Sequence, residues 1–272
     1  MFITRFLSGM VLLILAWISF YFGGIPLAFA LLFLSLFGFD ELVKALSIRP
    51  EKKQNVLTVF GFIAVAAYYV TMYFTNSTEF MVLCAVFVII AFLTIYVFSF
   101  PKYKVEDIMG VIFAYFYAPV MLSFVYLTRN LENGKYLVWL IIITAWGYDT
   151  CAYCVGMLTG KTIGNHKFLP HLSPKKSIEG VVGGIVGAGL IAFIFGSFVM
   201  KEDRLIFVII AAVGGIIAQI GDLAASAIKR NKNIKDYGKL IPGHGGVLDR
   251  FDSSIFVAPI IYYLSLFLLS NS

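Results

Sequence analysis

Charge is scarce in this sequence. Only 13% of its 272 residues are Asp, Glu, Lys or Arg and 60% are hydrophobic, whereas soluble domains are about 25% charged and roughly 45–50% apolar. With a mean hydropathy of +0.91, the chain is built for lipid as its solvent. Cysteine is nearly absent too, at three residues, which excludes a disulfide framework. Cys151 and Cys154 have C-x-x-C spacing, but no second pair and no nearby His accompanies them on that stretch. They read as buried small apolar side chains on a membrane helix. No polar stretch is long enough to fold as a nucleic-acid module, so the net charge of +6 does not point to nucleic acid as a partner. A cleavable leader is not expected either: Arg5 precedes an apolar run, but no small-x-small site follows.

What the chain has in abundance is apolar runs and aromatics, 27 Phe and 15 Tyr, which suit a lipid-facing surface with interfacial belts. A membrane helix needs about 20 mostly apolar residues. Such runs fall at 5–22, 24–44, 55–74, 79–99, 106–128, 136–159, 180–200, 204–228 and 253–270, predicting an all-α polytopic membrane protein of about nine spans. Only Gly23 and Gly24 separate the first two. By function the chain divides into 1–78 (spans one to three), 79–135 (spans four and five) and 136–272 (spans six to nine with loops 160–179 and 229–252), the last carrying the chemistry.

The basic residues orient it. With the N-terminus in the cytoplasm, Arg5, Lys44, Arg49, Lys52, Lys53 and the basic residues of both long loops lie inside. Of the 21 Lys and Arg, only Arg129, Lys135, Lys201 and Arg204 lie outside. The positive-inside rule is met by every loop, and nine spans then leave the C-terminus outside.

Polar chemistry is confined to the second half. Asp149 lies inside the sixth run, where a charge costs at least about 2.5–3.5 kcal/mol, so it calls for a wet cavity or a partner. Tyr153, Gly156 and Gly160 share its helical face at i+4, i+7 and i+11, a polar stripe descending to Lys161. In the eighth run Asp222, Ser226 and Lys229 share a face leading to the cytoplasm. Asp249, Arg250 and Asp252 follow just before the ninth run, so that Asp222 and Asp249 can meet at the edge of the bilayer. Paired carboxylates among Lys and Arg suit Mg²⁺, which is usually held by one or two carboxylates together with phosphate and water oxygens. Salt bridges to Lys229, Arg230 and Arg250 are the plainer alternative. Gly243, Gly245 and Gly246 around His244 let backbone N–H groups approach phosphate oxygens, beside Lys235 and Lys239. The other loop, from His171 to Gly180, carries Lys175 and Lys176, with Pro174 fixing a local turn and Glu179 opening the seventh run. Gly180 with Gly184, and Gly183 with Gly187, are small-x-x-x-small pairs that permit close helix packing.

The stretch SAIKRNKNIKDYGKLIPGHGGVLDRFD, Ser226 to Asp252, resembles the signature of the CDP-diacylglycerol synthase (phosphatidate cytidylyltransferase) family. Ser226, Lys229, Arg230, Lys235, Asp236, Gly238, Pro242, His244, Gly245, Gly246, Asp249, Arg250 and Asp252 meet its fixed positions. Asp149 to Lys161 and Ser173 to Gly180 are similar to the family as well, with Ser177 where Thr is usual; the resemblance covers roughly 140–255. It implies a Mg²⁺-dependent, dimeric enzyme of the cytoplasmic membrane that makes CDP-diacylglycerol and pyrophosphate from CTP and phosphatidate, the lipid entering from the inner leaflet. Carried over residue by residue, Asp222 and Asp249 would hold the cation, or two cations, with Asp149 in support. Lys175, Lys176, Lys229, Arg230 and Arg250 would neutralise phosphate charge. Tyr153, Lys161, Ser173, Ser177, Glu179, Ser226, Lys235, Asp236, His244, Gly245, Gly246 and Asp252 would shape the substrate pocket. A CDP-archaeol synthase, a CTP-dependent polyprenol kinase and an ion-coupled transporter are the alternative readings.

Overall fold

In lipid a backbone must satisfy its own hydrogen bonds, which leaves helices as the spanning element for such runs. The computed structural model describes residues 2–48, 55–162, 164, 166–170 and 172–269, with side chains from residue 7 onward. Arg49, Lys52, Lys53 and His171 therefore lie outside the described residues, as does the Arg5 side chain. The helices are α1 (Phe2–Phe22), α2 (Gly24–Ala45), α3 (Val56–Thr75), α4 (Thr78–Ser99), α5 (Val105–Tyr115), α6 (Met121–Arg129), α7 (Gly134–Thr162), α8 (Ile178–Val199), α9 (Arg204–Asn231) and α10 (Leu248–Leu269). Helices α5 and α6 are joined through a π-helical turn, Phe116–Val120, into one span. Among the described residues eight spans are long and apolar enough to cross a membrane, and Leu7–Phe22 of α1 is a shorter apolar stretch. The all-α, polytopic expectation holds, with the count of nine approximate.

Two boundaries differ usefully from the sequence reading. Helix α10 begins at Leu248, so Asp249, Arg250 and Asp252 belong to its first turns and not to the loop before it. Loop 160–179 is not plain coil either: Lys167–Leu169 (β1) pairs antiparallel with Ser173–Ser177 (β2). Pro174 sits inside β2 rather than making a turn; a two-stranded ribbon is all edge, where proline is tolerated.

The chain separates into two compact units. The first holds residues up to Tyr126 together with Ile234–Arg250. Positive φ at Gly23 (61°) and Gly24 (44°) lets α1 pass into α2 almost without a loop. The core is apolar, with Phe39, Leu57, Met72 and Phe92 buried, and Ser35 and Tyr69 pair their hydroxyls within it. Tyr69 donates to Pro119 O at 3.1 Å, which spends its one proton, so the 2.6 Å bond to Ser35 has Ser35 as donor. Pro119 lies in the π turn, where the Met121 N–H reaches back five residues to Phe116 O; proline cannot donate, and the wider turn accommodates the gap.

The second unit holds Leu127–Asn233 and the remainder of α10. Its helices approach closely because glycine faces them. A Cβ on Gly183 would lie 2.5 Å from Val155, one on Gly184 2.6 Å from Tyr148, and one on Gly187 2.4 Å from Cys151. The small-residue pairs of α8 therefore pack on α7, as their spacing implies. Gly214 is equally tight against Thr144, and Gly221 against the Asp252 carbonyl and Phe256. Contrary to expectation, the cysteines are not buried: Cys151 is half-buried against α8 and Cys154 is exposed on α7. In both units large apolar side chains cover the outside, Phe98 and Phe198 at 86% and 85% exposed, the surface that lipid requires.

Candidate active site

In the second unit, a cavity of about 430 Å³ opens between α7, β2, α8 and α9. Acid and base meet in it: Asp149 and Asp222 face Lys175 and Lys176. Each comes from a different local device. Asp149, Tyr153 and Gly156 line it along one face of α7, the 3.6-residue stripe expected from sequence. Lys175 and Lys176 are delivered by β2, the strand running directly into α8. Asp222 projects from α9, about 14 Å from the helix end at Asn231 for a rise of 1.5 Å per residue. The narrowness of the α7–α8 seam is set by glycine: a Cβ on Gly180 would lie 2.9 Å from the Ala152 carbonyl, and one on Gly156 3.2 Å from Ser177 Oγ.

Lys176 Nζ is ion-paired with Asp222 Oδ2. Asp252, on α10, lies within electrostatic reach of Asp222, Asp149 and Lys229, and its Oδ1 accepts the Ser253 N–H at 2.8 Å. Asp149 and Asp222 thus share the cavity with two lysines, and like charges so placed repel unless a cation joins them. No group of three or more Asp, Glu, His or Cys that could hold a metal ion occurs among the described residues. A hard cation sharing phosphate oxygens needs only one or two protein carboxylates, so this donor set fits Mg²⁺ bound together with a nucleotide.

The cavity floor was not legible in the sequence. Tyr148 donates from its hydroxyl to Gln219 Oε1 at 2.6 Å; both residues are buried, and among the described residues the Gln219 Nε2 has no hydrogen-bond partner. Gln219 is three residues before Asp222 on the same face of α9, and that spacing was the available signal. Glu179 and Ser177 serve the seam. Ser177 is the N-cap of α8, accepting the Gly180 N–H at 3.1 Å, and Glu179 accepts the His166 N–H and lies 2.7 Å from its Nδ1. Ser173 is half-buried at the start of β2, Lys161 is exposed at the end of α7, and Ser226, Lys229 and Arg230 follow Asp222 along α9.

The remaining expected residues belong to the first unit, in the segment Ile234–Arg250. Asp249 Oδ2 accepts the N–H groups of Tyr237 at 2.8 Å and Gly246 at 3.0 Å. Arg250 donates from Nε to the His244 carbonyl at 2.9 Å, and His244 Nδ1 lies 2.7 Å from Ser8 Oγ on α1. Gly243 (φ 76°) and Gly245 (φ 89°) supply left-handed backbone. The Ile241 N–H bonds to Gly245 O and the His244 N–H to Ile241 O, closing a tight turn. Lys235 and Asp236 are exposed on its approach.

Apolar spans enclosing a cavity lined by two carboxylates and two lysines define a polytopic membrane protein with a polar pocket. Residues 3–268 match the model of the cytidylyltransferase family. The chain is 34% identical over 182 residues to a phosphatidate cytidylyltransferase of Bacillus subtilis, covering 66% of each chain. It is 39% identical over 167 residues to that of Rickettsia bellii, 59% of this chain and 71% of the other. A Staphylococcus epidermidis relative of the same name is 31% identical over 247 residues, 89% and 90% of the two chains. The chain belongs to the cytidylyltransferase family. It is a nucleotidyltransferase, and the resemblance read on Ser226–Asp252 is borne out along nearly the whole chain.

Proposed function

We propose that this chain transfers the cytidylyl group of CTP to phosphatidate, releasing pyrophosphate and forming CDP-diacylglycerol, in the cytoplasmic membrane with its N-terminus in the cytoplasm. The observation that carries the reading is the placing of Asp149 and Asp222 against Lys175 and Lys176 in one cavity among membrane spans. Lysines neutralise a triphosphate or a lipid phosphate, and carboxylates are of use beside phosphates chiefly when a cation joins them. The names of the relatives supply the substrates, and the family resemblance supplies a homodimer.

The chemistry needs no protein nucleophile. A phosphate oxygen of phosphatidate attacks the α-phosphorus of CTP, the bond to the β-phosphate oxygen breaks in line, and pyrophosphate carries away the charge. Catalysis is then positioning and charge neutralisation. Lys175 and Lys176 orient phosphate oxygens in the cavity, with Lys229, Arg230 and Arg250 adding positive charge. Asp222 would hold Mg²⁺, with Asp149 and Asp252 in support; Asp249 enters as the second cation carboxylate on the strength of the sequence motif. When bound, the cation neutralises triphosphate charge.

Purified protein in detergent, given labelled CTP, phosphatidate and Mg²⁺, is expected to form labelled CDP-diacylglycerol that requires the lipid and disappears with EDTA. Lipid phosphate with CDP as products would instead define a CTP-dependent kinase. No product from folded protein in native-like lipid would overturn the proposal.

A further inference from the structure

Near the end of α2, far in sequence from every motif above, Glu41 is only 5% exposed. A buried carboxylate is costly unless it is paired or hydrogen-bonded, and the C-terminal end of a helix is the wrong end for an anion. Its neighbour Asp40 pairs with Lys44. Glu41 instead accepts two backbone N–H groups across more than 200 residues: Val247 on Oε1 and Leu248 on Oε2, both at 2.9 Å. These amides open α10, whose first N–H groups have no partner inside the helix and whose positive end favours an anion. Two glycines of the same segment close over the carboxylate. A Cβ on Gly238 would stand 2.3 Å from Oε1 and one on Gly246 2.4 Å, so any other residue at either place would push Glu41 away or be pushed by it.

The residues so gripped adjoin Asp249 and Arg250. Asp249 binds the segment from within, through Tyr237 and Gly246, and Arg250 binds it through His244. From outside, Ser8 meets the segment at His244, and Glu41 fixes the backbone two residues before Asp249. We infer that Glu41 is a positioning residue for cytidylyl transfer: its paired acceptor bonds to Val247 and Leu248 set the placement of the His244–Arg250 turn. The inference rests on the proposed reaction for its kinetic consequence, though not for the contact itself.

The test compares wild type with Glu41→Gln and Glu41→Asp in lipid nanodiscs. Glutamine has the same shape but one acceptor oxygen, so it turns a donor toward one of the two amides; aspartate keeps both oxygens on a shorter stem. For Glu41→Gln, amide hydrogen exchange across Ile241–Arg250 is expected to rise roughly tenfold, the scale of one lost bond to a charged acceptor, with peptides of α7 to α9 unchanged. Catalytic efficiency should fall by about 10²-fold, as for a displacement of about 1 Å, with KM for CTP rising, while Glu41→Asp recovers part of both. A merely structural role would lower the folded fraction and leave KM alone. Unchanged exchange, or loosened exchange with unchanged KM and kcat, would overturn the inference. Should Glu41→Gln exchange rapidly everywhere, Glu41→Asp decides on the same readouts. Absence of CDP-lipid formation by wild type would sink the proposed reaction instead. CTP-dependent protection of Ile241–Arg250 would then replace turnover: its loss in Glu41→Gln supports the role, and its absence in wild type or persistence in the variant overturns it.

Discussion

Lys176 holds its ammonium against Oδ2 of Asp222, and both border the same cavity. The strand carrying Lys176 and the helix carrying Asp222 are thereby tied through the two groups proposed to handle a phosphate and its cation. Asp222→Asn should leave the protein folded and reduce turnover at saturating Mg²⁺ by at least about 10²-fold, the scale of losing one preorganised electrostatic group. Initial rates over a Mg²⁺ titration check this. Normal turnover of the variant at limiting Mg²⁺ would remove Asp222 from the cation site.

Lys176→Met removes the ammonium while keeping an unbranched side chain only one atom shorter. The expected result is a rise in KM for CTP, with Asp222 left without its ion partner and the Mg²⁺ requirement shifted. A rate law measured by varying CTP and Mg²⁺ independently separates these effects. An unchanged KM for CTP would reduce Lys176 to a structural ion pair.

Tyr148 and Gln219 are coupled under the cavity. Tyr148→Phe strands the Gln219 carbonyl in a buried site, a loss of about 1–3 kcal/mol. Tyr148→Phe with Gln219→Leu takes away both partners and should be less destabilised than the sum of the single changes. Thermal denaturation in detergent of all four proteins gives the cycle.

Ser177 caps α8. Ser177→Ala is expected to cost about 0.5–2 kcal/mol of stability and Ser177→Thr much less, since both hydroxyl residues cap well. A serine therefore serves at this capping position as well as a threonine would. Parallel turnover measurements show whether the hydroxyl also meets substrate: a kcat loss in the alanine variant beyond its folded fraction would say that it does.

Gly187→Ala places a methyl where Cys151 Cβ and Sγ already stand, 2.4 Å away. Overpacking of this kind costs typically about 1–3 kcal/mol, and Cys151→Gly in the same chain should restore most of it. Melting curves of the single and double variants check the contact between α7 and α8.

The apolar runs determined the spans to within a few residues because each must cross the bilayer with its backbone bonds satisfied internally. The exception, α10, starts at Leu248 rather than near residue 253 because hydropathy marks where apolar side chains begin, whereas a helix begins where its first amides find acceptors, here on Glu41. The stripe of Asp149, Tyr153 and Gly156 was readable for the same local reason, a fixed 100° turn per residue. Hairpin β1–β2 was not, since three- and five-residue strands rich in Lys and Ser carry little periodic signal.

By itself, then, the sequence determined the solvent of this protein, its all-helical architecture, the polar half of the chain and the family motif, all of which depend on local spacing and composition. Only tertiary structure decided that Lys176 meets Asp222, that Gln219 rests on Tyr148, and that Glu41 grips the start of α10. These are pairings across 46, 71 and 207 positions of chain, fixed by which helix faces pack together. Nothing in the neighbourhood of Glu41 distinguishes it from an ordinary carboxylate at a span end. The contact exists only where two bare glycines close over it and the amides of Val247 and Leu248 find their acceptors on it.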